Sequence, residues 1–148
     1  MALYRASGGS KTGFDELCKN VINSNSYTSP TALSGRCTLD YGGYYIVPNT
    51  KKVWVYLEGT YTWDNHTPGP SQPGITTAGL FTGFPNISSE LSDGRMPNSL
   101  LFYDIQHDTY YPFVISTAGG GALVEQISTR YILNGDKFIV FGIYMKTA

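Results

Sequence analysis

The closing run of the chain, Phe138-Ile139-Val140-Phe141-Gly142-Ile143-Tyr144-Met145, is apolar on both of its alternating faces. Successive side chains of an extended strand point to opposite sides. Phe138, Val140 and Tyr144 therefore make one row, and Ile139, Phe141, Ile143 and Met145 the other. An antiparallel strand with one solvated face alternates apolar and polar residues. This one needs cover on both sides. A second layer of its own sheet can cover one row, and a sister copy is the simplest cover for the other. The sequence thus predicts an oligomeric all-β module.

The rest of the last third has the same rhythm. Apolar runs at 100–105 (LLFYDI), 113–115 (FVI) and 123–124 (LV) alternate with His107-Asp108-Thr109, Gly119-Gly120-Gly121 and Asn134-Gly135-Asp136. Those residue types favour bends. The clearest single strand is 53–63, VWVYLEGTYTW. Val53, Val55, Leu57, Tyr61 and Trp63 form a core face. Trp54, Tyr56, Glu58, Thr60 and Thr62 form an amphipathic face suited to partial cover by a neighbouring subunit or ligand. Residues 36–40 and 43–47 read as two strands around a Tyr41-Gly42-Gly43 bend, and 80–85 (LFTGFP) as a short run stopped by proline. Between them, 64–79 holds three prolines and three glycines. It reads as a long irregular loop, of a length that in compact domains is either functional or disordered.

Near the start, FDELCKNVI (14–22) fits one or two helical turns, with Phe14, Leu17, Cys18 and Val21 at i, i+3, i+4 and i+7. It fits a short edge strand equally. Residues 1–13 read as a flexible tether and 14–148 as one domain, since 148 residues suffice for a core without staples. The total is eight or nine strands with no long helix, repeat or heptad. That content fits a jelly-roll-like antiparallel β-sandwich, here expected to be trimeric. Twelve tyrosines, 17 glycines and a charged fraction of 14%, against roughly 25% in an average domain, suit short strands and tight turns.

A net charge of −1, with Lys51-Lys52 the sole basic doublet, argues against nucleic acid as a partner. No run approaches the roughly 18 apolar residues of a membrane span, and no cationic start precedes an apolar stretch as in a secretion signal. Cys18 and Cys37 form no metal motif and read as two small half-buried thiols, with a bridge between them left open. The two histidines, His66 and His107, lie in no nucleophile-elbow or papain-like context, so the chain does not read as an enzyme. Glu58 and Glu125 are acids that could meet across a cleft, with structural pairing the stronger reading. If 104–108 is a strand, Asp104 and Gln106 share one side and His107 takes the other, so they do not converge on an ion; as a loop they could hold a loose Ca²⁺. The expectation is no metal and no cofactor. Asn65-His66-Thr67 and Asn86-Ile87-Ser88 match the glycosylation pattern, which arises often by chance.

Sugar-binding chemistry is the best candidate: an aromatic wall with a few convergent polar groups. Trp63, Asp64, Asn65 and His66 open the long loop, and His107, Asp108, Tyr110 and Tyr111 sit at a tight turn. Both groups fall at sheet ends. Trp54, Tyr56, Ile139, Phe141, Ile143 and Met145 are the expected subunit interface.

The order of these segments carries a resemblance. A long aromatic strand (53–63) leads to a Leu-Phe-x-Gly-Phe-Pro step (80–85) and a Pro-bounded strand (97–105). A Phe-Val-Ile-Ser-Thr-x-Gly strand and turn (113–119), a Leu-Val strand and an Asn-Gly-Asp hairpin into a last strand follow. Over roughly 39–145 this resembles the C-terminal head domain of bacteriophage tail-fibre and receptor-binding proteins, although no shaft repeat precedes it. The resemblance implies a jelly-roll homotrimer that attaches a virion to a host cell-surface glycan. It further implies contact with other tail or baseplate proteins through the N-terminus. A carbohydrate-binding module of a secreted enzyme, or a structural fibre tip without its own ligand, are the competing readings.

Overall fold

The structure, a computed structural model, describes residues 13–63, 76–88, 100–126 and 132–147. They form helix α1 (Phe14–Asn23) and strands β1 (Thr31–Ala32), β2 (Cys37–Ile46), β3 (Lys52–Tyr61), β4 (Thr76–Thr82), β5 (Leu101–Asp104), β6 (Thr109–Ile115), β7 (Ala122–Gln126) and β8 (Lys137–Met145). The chain is mostly antiparallel β-structure, as its alternating pattern predicts. The eight strands make one sheet in the order β1-β4-β7-β6-β5-β8-β3-β2. Its pairings are nested: β5 with β6, β4 with β7, and β3 with β8. The chain thus runs out along β3, β4 and β5 and returns along β6, β7 and β8 as one ribbon. The ribbon curls until β5 also pairs with β8, and β6 with β7.

Curling brings the outer strands β1 and β2 close together. The segment before β1 bridges the gap, because Thr28 and Tyr44 exchange N–H···O bonds of 2.8 Å in both directions. The bridge depends on Gly43, where a Cβ would lie 2.0 Å from the Thr28 carbonyl oxygen. The sheet is therefore nearly closed, which occupies edge hydrogen-bonding groups that would otherwise pair with another chain. The expected Tyr41-Gly42-Gly43 bend does not form. β2 is one ten-residue strand with an irregularity between Leu39 and Tyr41, and Gly42 takes φ 90° beside the Tyr56 carbonyl. These glycines permit close backbone approaches, not a reversal, because β3 offers a ladder along the whole segment.

The interior is aromatic. Phe102 stacks on Phe138 at 4.5 Å between ring centroids, and Phe81 meets Phe84, Phe113 and Phe138 edge-on at 6.2–6.4 Å. Val53, Val55, Leu57 and Tyr61 of β3 and Phe138, Val140 and Tyr144 of β8 belong to this core, as their alternation predicts. Gly59 leaves the space that the Phe138 ring occupies, since a Cβ there would lie 2.4 Å from it.

The first half of the second row of β8, Ile139 and Phe141, is covered by the chain's own helix. Ile139 and Phe141 lie with Tyr56 and Tyr103 beneath Cys18 and Ile22 of α1, and Phe14 meets the Phe141 ring edge-on at 5.9 Å. Phe141 is completely buried within one chain, and Tyr56 and Ile139 are buried as well. Three of the six expected interface residues are therefore packed under the chain's own helix. Trp54, Ile143 and Met145 are only partly buried. The segment 14–22 resolves as helix, and its sheet-facing positions are Phe14, Cys18 and Ile22 at i, i+4 and i+8. Leu17, expected on that face, is half exposed. Polar contacts also hold the helix down: Cys18 Sγ lies 3.9 Å from the Gly142 carbonyl oxygen, the Tyr41 hydroxyl donates to Asn23 Oδ1, and Lys19 pairs with Glu58 of β3.

Cys18 and Cys37 are free, and they lie in separate apolar clusters. Burial pushes both thiols up to about 12, so neither is a reactive thiolate at neutral pH. The tether expected over residues 1–13 lies, apart from Gly13, outside the described residues.

Truncating Phe141 to alanine should cost about 3–5 kcal/mol of unfolding free energy. Urea titration should give the same loss at every protein concentration. A cost that varies with concentration would show that sister copies share this face.

Candidate functional site

Three connections come together at one end of the sheet. β3 ends at Tyr61, β5 ends at Asp104 and turns into β6, and β8 begins at Lys137. β8 lies between β5 and β3, with Phe138 opposite both Gly59 and Asp104. The end of β3 and the 105–108 turn therefore lie at the same end of the sheet.

Residues 105–108 form a four-residue turn, because Asp104 pairs with Thr109 across the hairpin. Asp108 sits at φ 47°, a left-handed conformation that Asp tolerates better than most residues. The Tyr103 hydroxyl donates to Asp108 Oδ1 at 2.7 Å, and Thr109 Oγ1 donates to the His107 carbonyl at 2.8 Å. The turn folds His107 back over the end of β5, where its Nδ1 is 3.1 Å from Asp104 Oδ2. A strand over 104–108 would have kept these side chains apart. The third member is Asp136, from the turn that leads into β8. Its Oδ2 lies 2.9 Å from His107 Nδ1 and accepts the Leu133 N–H at 3.0 Å. Its carbonyl accepts the Tyr61 N–H at 2.8 Å, which fixes the turn to the end of β3.

Asp104 is wholly buried and Asp136 nearly so, whereas His107 is more than a third exposed. Burial pushes the Asp104 carboxyl up to about 7, and the hydrogen bond and charge of Asp136 push the same way against the lowering effect of His107. The hydrogen bond to Asp104 raises the His107 imidazole, with burial opposing it. Nδ1 and the two carboxylates all lie within 4.8 Å of one another, so these residues have the donor set to hold a metal ion. Sequence reasoning treated Asp136 only as turn punctuation. The bend signal at His107-Asp108-Thr109 was the one local clue that His107 could return to Asp104.

A polar rim extends from this cluster. Lys137 donates its N–H to Gln106 Oε1 at 2.6 Å and its Nζ to Thr60 Oγ1 at 3.0 Å; Thr60 in turn donates to Asp40 Oδ2 at 2.7 Å. Ile105 and Leu133, from the two facing turns, are about 40% exposed at the same end.

The aromatic residues expected to line a sugar site are used differently. Tyr111 is buried in the core against Phe102, at 6.1 Å between centroids, and is not a surface ligand. Tyr110 packs at a tilt against Tyr103, with 4.6 Å between ring centroids, and joins the cluster beneath α1. Trp63 packs partly against the core, and the Arg36 guanidinium lies 4.1 Å from its ring centroid while donating to the Gly79 carbonyl. Each assignment follows from alternation, since a residue one step from a surface position points inward. Asp64, Asn65 and His66 lie outside the described residues. Glu58 and Glu125 are not brought together: their strands are separated by β6, β5 and β8. Glu58 instead accepts the Tyr56 hydroxyl and pairs with Lys19 at 3.6 Å, beside a polar pocket between α1 and β3. No helix among the described residues is long and apolar enough to cross a membrane.

A scan against protein-family models finds no match to this chain, and searches of curated proteins and of solved structures likewise find none.

The acid cluster carries a pH signature. The folded Asp104 binds its proton more tightly than the unfolded one, so its contribution to stability falls as pH rises from 3.8 to about 7. His107, raised from 6.5, contributes fully below that value and loses its contribution as pH rises through the folded value. In chelator-containing buffer the thermal midpoint of Asp104→Asn should lose the part of the slope below pH 7. A slope identical to wild type would show that Asp104 does not set it.

Proposed function

We propose that this chain is a non-catalytic binding head that attaches a phage tail fibre or baseplate to a saccharide on the host surface. One observation carries the binding part of this reading. The exposed apolar side chains of Ile105 and Leu133 stand at one end of the sheet among Gln106, His107 and Lys137, all of them exposed. Apolar surface with a few polar groups around it is the composition that binds the C–H face of a sugar and its hydroxyls. These side chains come from two turns fixed to strand ends and from the first residue of β8, so the surface is preorganised.

The jelly-roll part of the reading is supported by the nested strand pairs and by the curling of their ribbon into a nearly closed sheet. A homotrimer belongs to the proposal through the tail-fibre resemblance. Its support excludes Ile139 and Phe141, which α1 covers. Trp54 and Ile143, paired across β3 and β8 and partly buried, are the interface candidates that remain most central, with Met145 beyond them. The same helix favours a second reading, a monomeric carbohydrate-binding module of a secreted enzyme. The mass in sedimentation separates the two.

Replacing Ile105 and Leu133 together by serine should leave the melting temperature nearly unchanged, because both are exposed. It should weaken binding to host-wall polysaccharide at least about tenfold, or roughly 1.4 kcal/mol. Undiminished binding by this variant, measured on a glycan array or by pull-down on isolated walls, would place the site elsewhere. Wild-type protein that binds no wall polysaccharide would sink the saccharide reading.

A further inference from the structure

We propose that Asp104, His107 and Asp136 form a binding site for a divalent ion of the zinc class, which clamps the β5–β6 turn to the turn that precedes β8. This inference stands apart from the saccharide reading, because it rests on donor geometry and charge alone.

The first observation is the charge deficit. Two carboxylates, one wholly buried and the other with a side chain only 8% exposed, face a single imidazole nitrogen. Among the described residues His107 is their one cationic partner; Lys137, next to Asp136 in sequence, is directed to Thr60 and Asp40. A buried carboxylate is costly unless it is paired, protonated or bound to a metal. One half-exposed histidine cannot neutralise two such groups while both are ionised. A divalent cation balances them.

The second observation is the spacing. His107 Nδ1 lies 3.1 Å from Asp104 Oδ2 and 2.9 Å from Asp136 Oδ2. Ligand atoms at the zinc distances of about 2.0–2.2 Å in a tetrahedron stand roughly 3.3–3.5 Å apart. The third pair, Asp104 and Asp136, lies within 4.8 Å, so side-chain rotations can convert the hydrogen-bonded trio into a ligand set. An imidazole nitrogen with two carboxylate oxygens suits zinc and its neighbours among the transition ions. Ca²⁺, which takes six to eight oxygens at about 2.3–2.6 Å, has too few donors here. Binding releases the Nδ1 proton of His107 and any proton held between the carboxylates. Three protein ligands leave one position of a tetrahedron for water or another ligand.

The ligands come from two turns that do not belong to one hairpin. Both turns carry the exposed apolar residues, Ile105 and Leu133, so an ion here would fix their relative placement.

The test is zinc titration of the chelator-stripped full chain by isothermal calorimetry, with the visible spectrum of the Co²⁺-loaded protein as a second readout. One ion per chain is expected, with the absorption bands of a four-coordinate cobalt site. His107→Gln lies on an exposed turn and should fold normally. It should weaken binding by more than the ~10–100-fold that losing an outer-shell partner costs, and Asp136→Asn should do the same. His66→Gln, at the other histidine of the chain, should leave both readouts unchanged. Wild-type protein that binds no zinc at millimolar concentration overturns the assignment. So does an affinity unaltered in both His107→Gln and Asp136→Asn, or one lost in His66→Gln.

Discussion

Burial of β8 on both faces is the constraint on which the rest of the structure depends. Phe138, Val140 and Tyr144 fill the interior of the curled sheet, while Ile139 and Phe141 support α1 on its outside. A strand loaded this way has to sit at the centre of the fold, and β8 does so, paired with β3 on one side and β5 on the other. Its start then lies beside the ends of both neighbours. Asp136, two residues before Phe138, is in this way delivered to Asp104 and Tyr61. The same burial that organises the core therefore also assembles the polar cluster at the loop end.

Closure of the sheet is the second constraint, and it is met with very little structure. β1 is two residues long, and the segment before it reaches β2 through the Thr28–Tyr44 backbone bridge and a Ser29 Oγ donation to the Gly42 carbonyl. The bridge works because Gly43 lets one backbone approach the other to a separation that no side chain would permit. Gly59 acts similarly inside, where its missing side chain leaves room for the Phe138 ring. Abundant glycine, read from composition alone as a sign of short strands and tight turns, has a further cause here: aromatic rings and backbones packed close together in a small, nearly closed sheet.

Much of the fold was legible from alternation. The two rows of β3 and the two rows of β8 separate as the sequence implies, and the strands over 52–61, 101–104, 122–126 and 137–145 fall close to their apolar runs. Legibility failed where one signal had two physical meanings. Gly42 and Gly43 signalled a bend but serve close approaches, to the Tyr56 carbonyl and to the Thr28 bridge. Tyr110 and Tyr111 matched a sugar-stacking wall, yet alternation sends one under the helix and the other into the core. Asp104 and His107 were separable on a strand and convergent on a turn, and only the pairing of Asp104 with Thr109 decides between them.

The sequence by itself determined that this chain is built of antiparallel strands and that its last strand is shielded on both sides. Those properties follow from side-chain alternation, which is local and survives without knowledge of the rest of the molecule. The tertiary structure decided what does the shielding. The hydrophobic effect is non-directional, so an apolar row states that it needs cover without naming the cover. Here the partner is a ten-residue helix near the other end of the same chain. The meeting of Asp104, His107 and Asp136 was likewise beyond local reading, because it depends on the order in which strands become neighbours.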